Sequence, residues 1–205
     1  MLREDAMAGL SRGLTTTERI IVKELKEQGV LKHVDGHRLS LEKGVISCFC
    51  ADCDRSADIY AHQQGIVREQ CKDPRIHMLA DNGGPLLITK NSPANKVGRT
   101  RDIDFLDSIA FAIEKKGIQT VALIGHAICG VALEREIGLL RTIALILCAK
   151  SRIKQDLKRL DPKVACFYHV DYGEFATDPS RPMKTYFIDK HEFARTFPSQ
   201  HIFTA

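Results

Sequence analysis

The stretch from residue 104 to residue 130 limits the possible folds more than any other part of this 205-residue chain. Phe105, Ile109, Ala112 and Ile113 recur at helical spacing, and Gly117 follows them as a stop. Asp104 is placed to cap the helix, with Asp107 in its first turn. Residues 120–124 then form an unbroken apolar run. A run without polar alternation suits a parallel strand covered on both faces. Strand, helix, strand in this order implies right-handed crossovers and an α/β fold, with a mostly parallel sheet flanked by helices.

Other segments fit that plan. Thr15 and Glu18 form a T-x-x-E capping box that opens a helix running towards Gly29, with Ile21 and Leu25 on its apolar face. Residues 45–49 are expected as a buried strand, 56–70 as a helix and 77–80 as a second strand. The cluster Asn82, Gly83, Gly84 and Pro85 marks a turn, after which 86–89 can resume the strand. Residues 134–149 read as one buried helix, and Ile153, Leu157 and Leu160 as another. Residues 164–170 form a strand, 178–182 a turn, and 186–188 a last edge strand. The whole is expected to be a single domain over 1–205, with 1–40 as an N-terminal arm and helix.

The bulk properties narrow the function. Charged residues make up 27% of the chain and the net charge is +4, too weak a basic excess to imply nucleic acid. The apolar stretch 137–149 contains Arg141 and is too short to span a bilayer, and the first residues lack the apolar core of a secretory signal. A cytoplasmic protein is therefore expected. In a reducing compartment its seven cysteines are metal ligands or redox thiols before they are disulfides.

Two cysteine-bearing segments each follow an expected strand: Cys48-Phe-Cys-Ala-Asp-Cys-Asp-Arg55 and Gly125-His-Ala-Ile-Cys-Gly130. In open α/β sheets, ligands bind at the carboxyl ends of strands. His126 and Cys129 are three apart and share a face if a helical turn begins there. An imidazole and a thiolate suit zinc, and a third ligand from the first segment leaves one tetrahedral position open. Cys48, Cys50 and Cys53 all compete for that third place, because Cys48 and Cys50 alternate along one strand face.

The same residues resemble the β-class carbonic anhydrases. That family carries Cys-x-Asp-x-Arg after a buried strand and then His-x-x-Cys, usually within Gly-His-Ser-x-Cys-Gly. Cys50-Ala-Asp52 is similar to the first motif and Gly125 to Gly130 to the second, and the likeness extends over about 42–175. The resemblance implies Cys50, His126 and Cys129 as zinc ligands, with Asp52 and Arg55 as the catalytic pair. It also implies reversible hydration of CO2, or of a similar small electrophile such as carbonyl sulfide, by zinc-bound hydroxide, in a homodimer or larger assembly. Two departures stand out. Asp54 occupies the position of the motif arginine, with Arg55 one place later, and Ala80-Asp-Asn-Gly-Gly84 replaces a family loop that begins with arginine. If Arg55 does not reach Asp52, that carboxylate stays on the metal and closes the site. For the fourth ligand the candidates are water, Asp52, Cys48 and Cys53. Two other readings compete: a non-catalytic zinc-binding module, and a thiol redox protein using Cys50-x-x-Cys53.

Overall fold

The computed structural model describes residues 13–198 except 97 and 181. The expected N-terminal arm lies mostly outside the described residues. In chain order the elements are α1 (Thr16–Glu27), β1 (Leu31–His33), β2 (Val45–Cys50), α2 (Ser56–Arg68), β3 (Ile76–Asp81), α3 (Arg101–Lys116) and β4 (Thr120–Ala127). The short α4 (Gly130–Glu134), α5 (Leu139–Asp156), β5 (Lys163–Asp171), β6 (Met183–Ile188) and α6 (Lys190–Thr196) follow.

The strands form one six-stranded sheet in the order β1-β6-β5-β4-β2-β3. β3, β2, β4 and β5 run parallel, and β6 and β1 are added antiparallel at one side. The expected mostly parallel α/β architecture is therefore present. β4 shows why its sequence is continuously apolar. Val121 and Leu123 join the core formed with α1, α3 and α5, while Ala122 and Ile124 face α2 through Ile59, Ile66 and Val67. Every residue of β2 and of β4 is buried.

Local signals hold where the chemistry is local. Thr15 caps α1, and both reciprocal hydrogen bonds with Glu18 form. Gly117 ends α3 in the left-handed region at φ 67°. Elsewhere the fold differs from the expectation. Thr100, not Asp104, is the N-cap residue of α3. The helix starts earlier because its first turn is tied down by tertiary ion pairs, Arg101 to Asp81 and Asp102 to Arg152. Residues 86–89 do not resume a strand, because Gly84–Leu87 is a 3-10 turn. Gly83 and Gly84 both have positive φ, and Leu86, Leu87 and Ile88 turn into the core instead. In place of the two helices expected over 134–160 there is one long helix, α5, which starts only after Gly138 and ends at Asp156, and Lys158–Leu160 is a separate 3-10 turn. Glu136 at φ 53° breaks the chain between α4 and α5. Tyr186 to Ile188 belong to β6, which is not an edge, since β1 pairs along its outer side.

Candidate metal centre

The centre forms where β2 and β4 end, at the carboxyl side of the parallel sheet. β4 places His126 in register with His169 of β5, and Gly125 with Tyr168. The chain then turns, and Cys129 is the N-cap residue of α4 in an extended conformation. His126 and Cys129 therefore do not share a helical face. One is the penultimate residue of a strand and the other the cap of a new helix, and the turn between them brings the two together. Gly125 matters here because a Cβ at that position would overlap the side chain of Ile146 on α5.

Cys50, His126 and Cys129 are all buried, and their candidate ligand atoms lie within 4.8 Å of one another. Among the described residues, neither ring nitrogen of His126 has a hydrogen-bond partner other than the Cys129 thiol. A buried imidazole left in that state costs free energy that a bound cation would recover. The thiols are tuned by their neighbours. Cys129 is pushed down, first by the hydrogen bond with Cys50 and then by His126 and the Ala132 amide, against the opposing effect of burial. Cys50 is pushed up by the same shared hydrogen bond and by burial, while the Gly83 N–H donates to its Sγ at 3.2 Å and favours the thiolate. An imidazole and two sulfurs converging at this distance, one of them a stabilised thiolate, fit a soft-to-borderline divalent ion.

Asp52 and Arg55 sit beside the trio. The Asp52 carboxylate accepts from the backbone N–H of Asp54 at 3.0 Å and of Arg55 at 3.2 Å, so it closes the turn that opens α2. Arg55 is 1% exposed, and its Nη1 donates to both Asp52 oxygens at 3.3 and 3.4 Å. Its Nη2 reaches Asp171 Oδ2, at the end of β5, at 3.2 Å. The displaced arginine thus does meet Asp52. The reason lies in the turn: on a helical turn, residue i+3 shares a face with residue i, whereas i+2 points away. Asp54 accordingly lies exposed.

The rival thiols are placed differently. Cys48 is fully buried in the apolar core on β2, its pKa pushed up by burial. Cys53 is exposed, with its Sγ towards Asp54 Oδ1 at 3.6 Å. Among the described residues, the cluster with metal-ligand proximity contains neither. Two contributors were not foreseen. Asp171 carries no motif, and only its ion pair with Arg55 ties it to the site. The Gly83 amide comes from the turn that replaces the expected strand. Cys50 and Asp52 line a cleft of about 860 Å³ bounded by the loops after β2 and β3 and by α4. Among the described residues, no helix is long and apolar enough to cross a membrane.

No family model and no curated protein matches the chain. Solved structures with a similar course of chain are β-carbonic anhydrases. A mutant of the β-carbonic anhydrase CafD from Aspergillus fumigatus is 10% identical, with a TM-score of 0.42 over 78% of this chain and 99% of that one. A β-carbonic anhydrase isoform from Trichomonas vaginalis is 13% identical, with a TM-score of 0.40 over 85% and 99%. CafA of Aspergillus fumigatus is 10% identical, with a TM-score of 0.36 over 89% and 94%. These are distant likenesses.

Proposed function

We propose that the chain is a zinc-dependent lyase that hydrates CO2, or a similar small electrophile such as carbonyl sulfide. The observation that carries the reading is the buried trio Cys50, His126 and Cys129, with Asp52 drawn onto Arg55 beside it. Zinc, when bound, supplies Lewis acidity that brings the pKa of a coordinated water near neutrality. The chain's own residues do the rest. Cys50, His126 and Cys129 hold the ion, with the Gly83 amide supporting one sulfur and the Ala132 amide the other. Arg55 holds the Asp52 carboxylate in place beside the trio, where it would accept a hydrogen bond from a water and orient it. A fourth protein ligand is missing from the trio among the described residues, and an open position is the mark of a catalytic rather than structural zinc site.

The protein acts in this reading as a homodimer or larger assembly in the cytoplasm, where free thiols persist. All seven cysteines are free. Elemental analysis and stopped-flow CO2 hydration test the proposal together. The expected result is about one zinc per chain and a rate above buffer that Cys129→Ser abolishes. Zinc bound without any hydration of CO2 or carbonyl sulfide across a range of pH would leave a non-catalytic zinc module. Robust disulfide reduction in an insulin assay would favour the thiol redox reading, and light scattering checks the assembly.

A further inference from the structure

A second cavity, of about 530 Å³, lies at the opposite end of the sheet from the metal trio. Thr120 and Lys163, which line it, are the first residues of β4 and β5 and pair in register. Thr120 opens the strand that His126 nearly ends, so at about 3.3 Å per residue the two sites are about 20 Å apart. On this face of the sheet α2 covers β2 and β4 through Ile59, Ile66 and Val67. At the amino end of β5 the cover passes to the connection between β1 and β2, whose only helical turn is the 3-10 turn Gly36–Arg38. That thin cover leaves a pocket lined by Phe167 and Phe187, which meet edge to face, and by Ala165, Val34 and Leu39. The connection is fixed in place. Thr120 Oγ1 donates to Ser40 O, and Gln70 donates to Gly36 O and accepts from the Leu41 N–H. The charges at the rim do not cancel. The acids there are Asp35 and Asp189, and each already has a cation, Arg38 Nε at 3.2 Å and Lys32 Nζ at 2.7 Å. Lys150 and Lys163 line the same pocket, and neither forms an ion pair among the described residues. The Lys163 ammonium donates at 2.9 Å to the Ser40 hydroxyl, a neutral partner that leaves its charge uncompensated.

We infer that this pocket is a binding site for an aromatic carboxylate. The ring packs against Phe167 and Phe187, where aromatic side chains favour an offset or edge-to-face neighbour. The carboxylate meets Lys150 and Lys163, whose ammonium groups offer rotatable N–H donors to an anion. An apolar pocket of this volume with a few converging polar groups is the usual form of a small-ligand site. Because the connection over the pocket is already tied to β4 and α2, little ordering cost falls on binding. The site shares no residue with the metal trio, so the inference stands apart from the lyase reading.

The experiment is calorimetric titration of the full-length protein, as purified and again after chelation of its metal. The probes are phenylacetate and the larger naphthylacetate, with acetate as the headgroup alone, phenethyl alcohol as the uncharged analogue and phenethylamine as the analogue of opposite charge. The better of the two aromatic carboxylates should bind at least roughly tenfold tighter than acetate or phenethyl alcohol, the worth of burying the ring or of one charge-assisted contact. Phenethylamine should bind more weakly still. Lys150→Gln together with Lys163→Gln should weaken the carboxylate by roughly tenfold or more and leave phenethyl alcohol unchanged. Val34→Phe fills part of the pocket and should weaken both. If that variant fails to fold, the lysine pair at the rim still decides. Binding should persist after chelation, so failure of the lyase reading would leave this result standing. No binding of either aromatic carboxylate at millimolar concentration, equal affinity for the charged and uncharged analogues, or unchanged affinity in the lysine variant would each overturn the inference. So would loss of binding on chelation, which would place the carboxylate at the metal trio.

Discussion

The loop after β4 and the loop after β2 supply the same centre in different ways. After β4, two ligands come from one short segment. His126 is positioned by strand register with β5, and Cys129 by the first residue of α4. After β2, one ligand comes from the strand, and the carboxylate beside it is held through a chain of contacts. Asp52 depends on Arg55, and Arg55 depends on Asp171 at the far end of β5. The β4 loop therefore carries both of its ligands on one short segment, set by one strand pairing. The β2 loop distributes its geometry over residues more than a hundred positions apart, which lets it absorb an arginine moved by one place.

If that contrast holds, damage to the two loops should separate stability from metal binding. Arg55→Ala leaves Asp52 and Asp171 facing each other without their shared cation. Breaking a buried pair this way costs about 3–5 kcal/mol, so we expect a large fall in the urea midpoint. The variant should still retain zinc when it is folded. Cys129→Ser should do the reverse. It removes a ligand but little packing, so stability without metal should change by less than about 1 kcal/mol. Zinc affinity, read by competition with a chelator, should fall by more than the roughly 10–100-fold lost when supporting contacts around a ligand are removed. Equal loss of zinc in both variants would erase the distinction between the loops.

The same contrast explains what was legible in the sequence. His126 and Cys129 are visible because their positions depend on adjacent residues and flanking glycines. Cys50 is visible because it ends an apolar strand. Asp171 was invisible, since an acid after a strand has no pattern until Arg55 is seen to reach it. β1 has only three residues, and its partner β6 lies some 155 positions away, so no periodicity announces it. The Leu86-Leu87-Ile88 run misleads for another reason: a short apolar run reads the same as a strand or as a buried turn. The decision there belongs to Gly83 and Gly84, whose positive φ values the letters permit but do not demand. The break within 134–149 is similar, resting on Glu136 in a left-handed conformation that few would assign to glutamate.

That turn gives a sharper test of how the β2 loop is supported. A Cβ on Gly84 would overlap the backbone of Phe49 and Cys50, and φ there is +49°. Gly84→Ala must therefore push the turn off the end of β2 as well as strain itself. The expected cost is about 2 kcal/mol or more in thermal or urea unfolding. Zinc affinity should also fall, because the Gly83 amide moves away from Cys50 Sγ. Gly98→Ala provides the control. Its φ is +77° but nothing lies within 4 Å of the added Cβ, so only the conformational strain of about 1 kcal/mol should appear, with zinc affinity unchanged.

A further effect concerns pH and the β5 side of the centre. His169, the register partner of His126, is fully buried, and burial pushes its pKa down to about 3, with His126, His62 and Arg55 adding to the effect. Its Nδ1 lies 2.9 Å from Thr185 Oγ1, and Asp58, 3.8 Å from Nε2, does not offset the burial. The folded protein therefore keeps His169 neutral where the unfolded chain, near its ordinary value of about 6.5, binds a proton. The unfolded state holds more protons between those limits, so stability is full above pH 6.5 and falls as the pH drops towards 3. The slope from this one group is about 1.4 kcal/mol per pH unit once the unfolded histidine is protonated. His62, pushed down to about 4 by burial, contributes in the same direction. Urea midpoints of the metal-free protein at pH 7, 6 and 5 should decline, and His169→Gln should reduce the decline by roughly half, the share of one histidine of the two. An unchanged slope in that variant would move the acid sensitivity away from β5, and would leave the register partner of His126 without a role in how the β4 loop responds to pH.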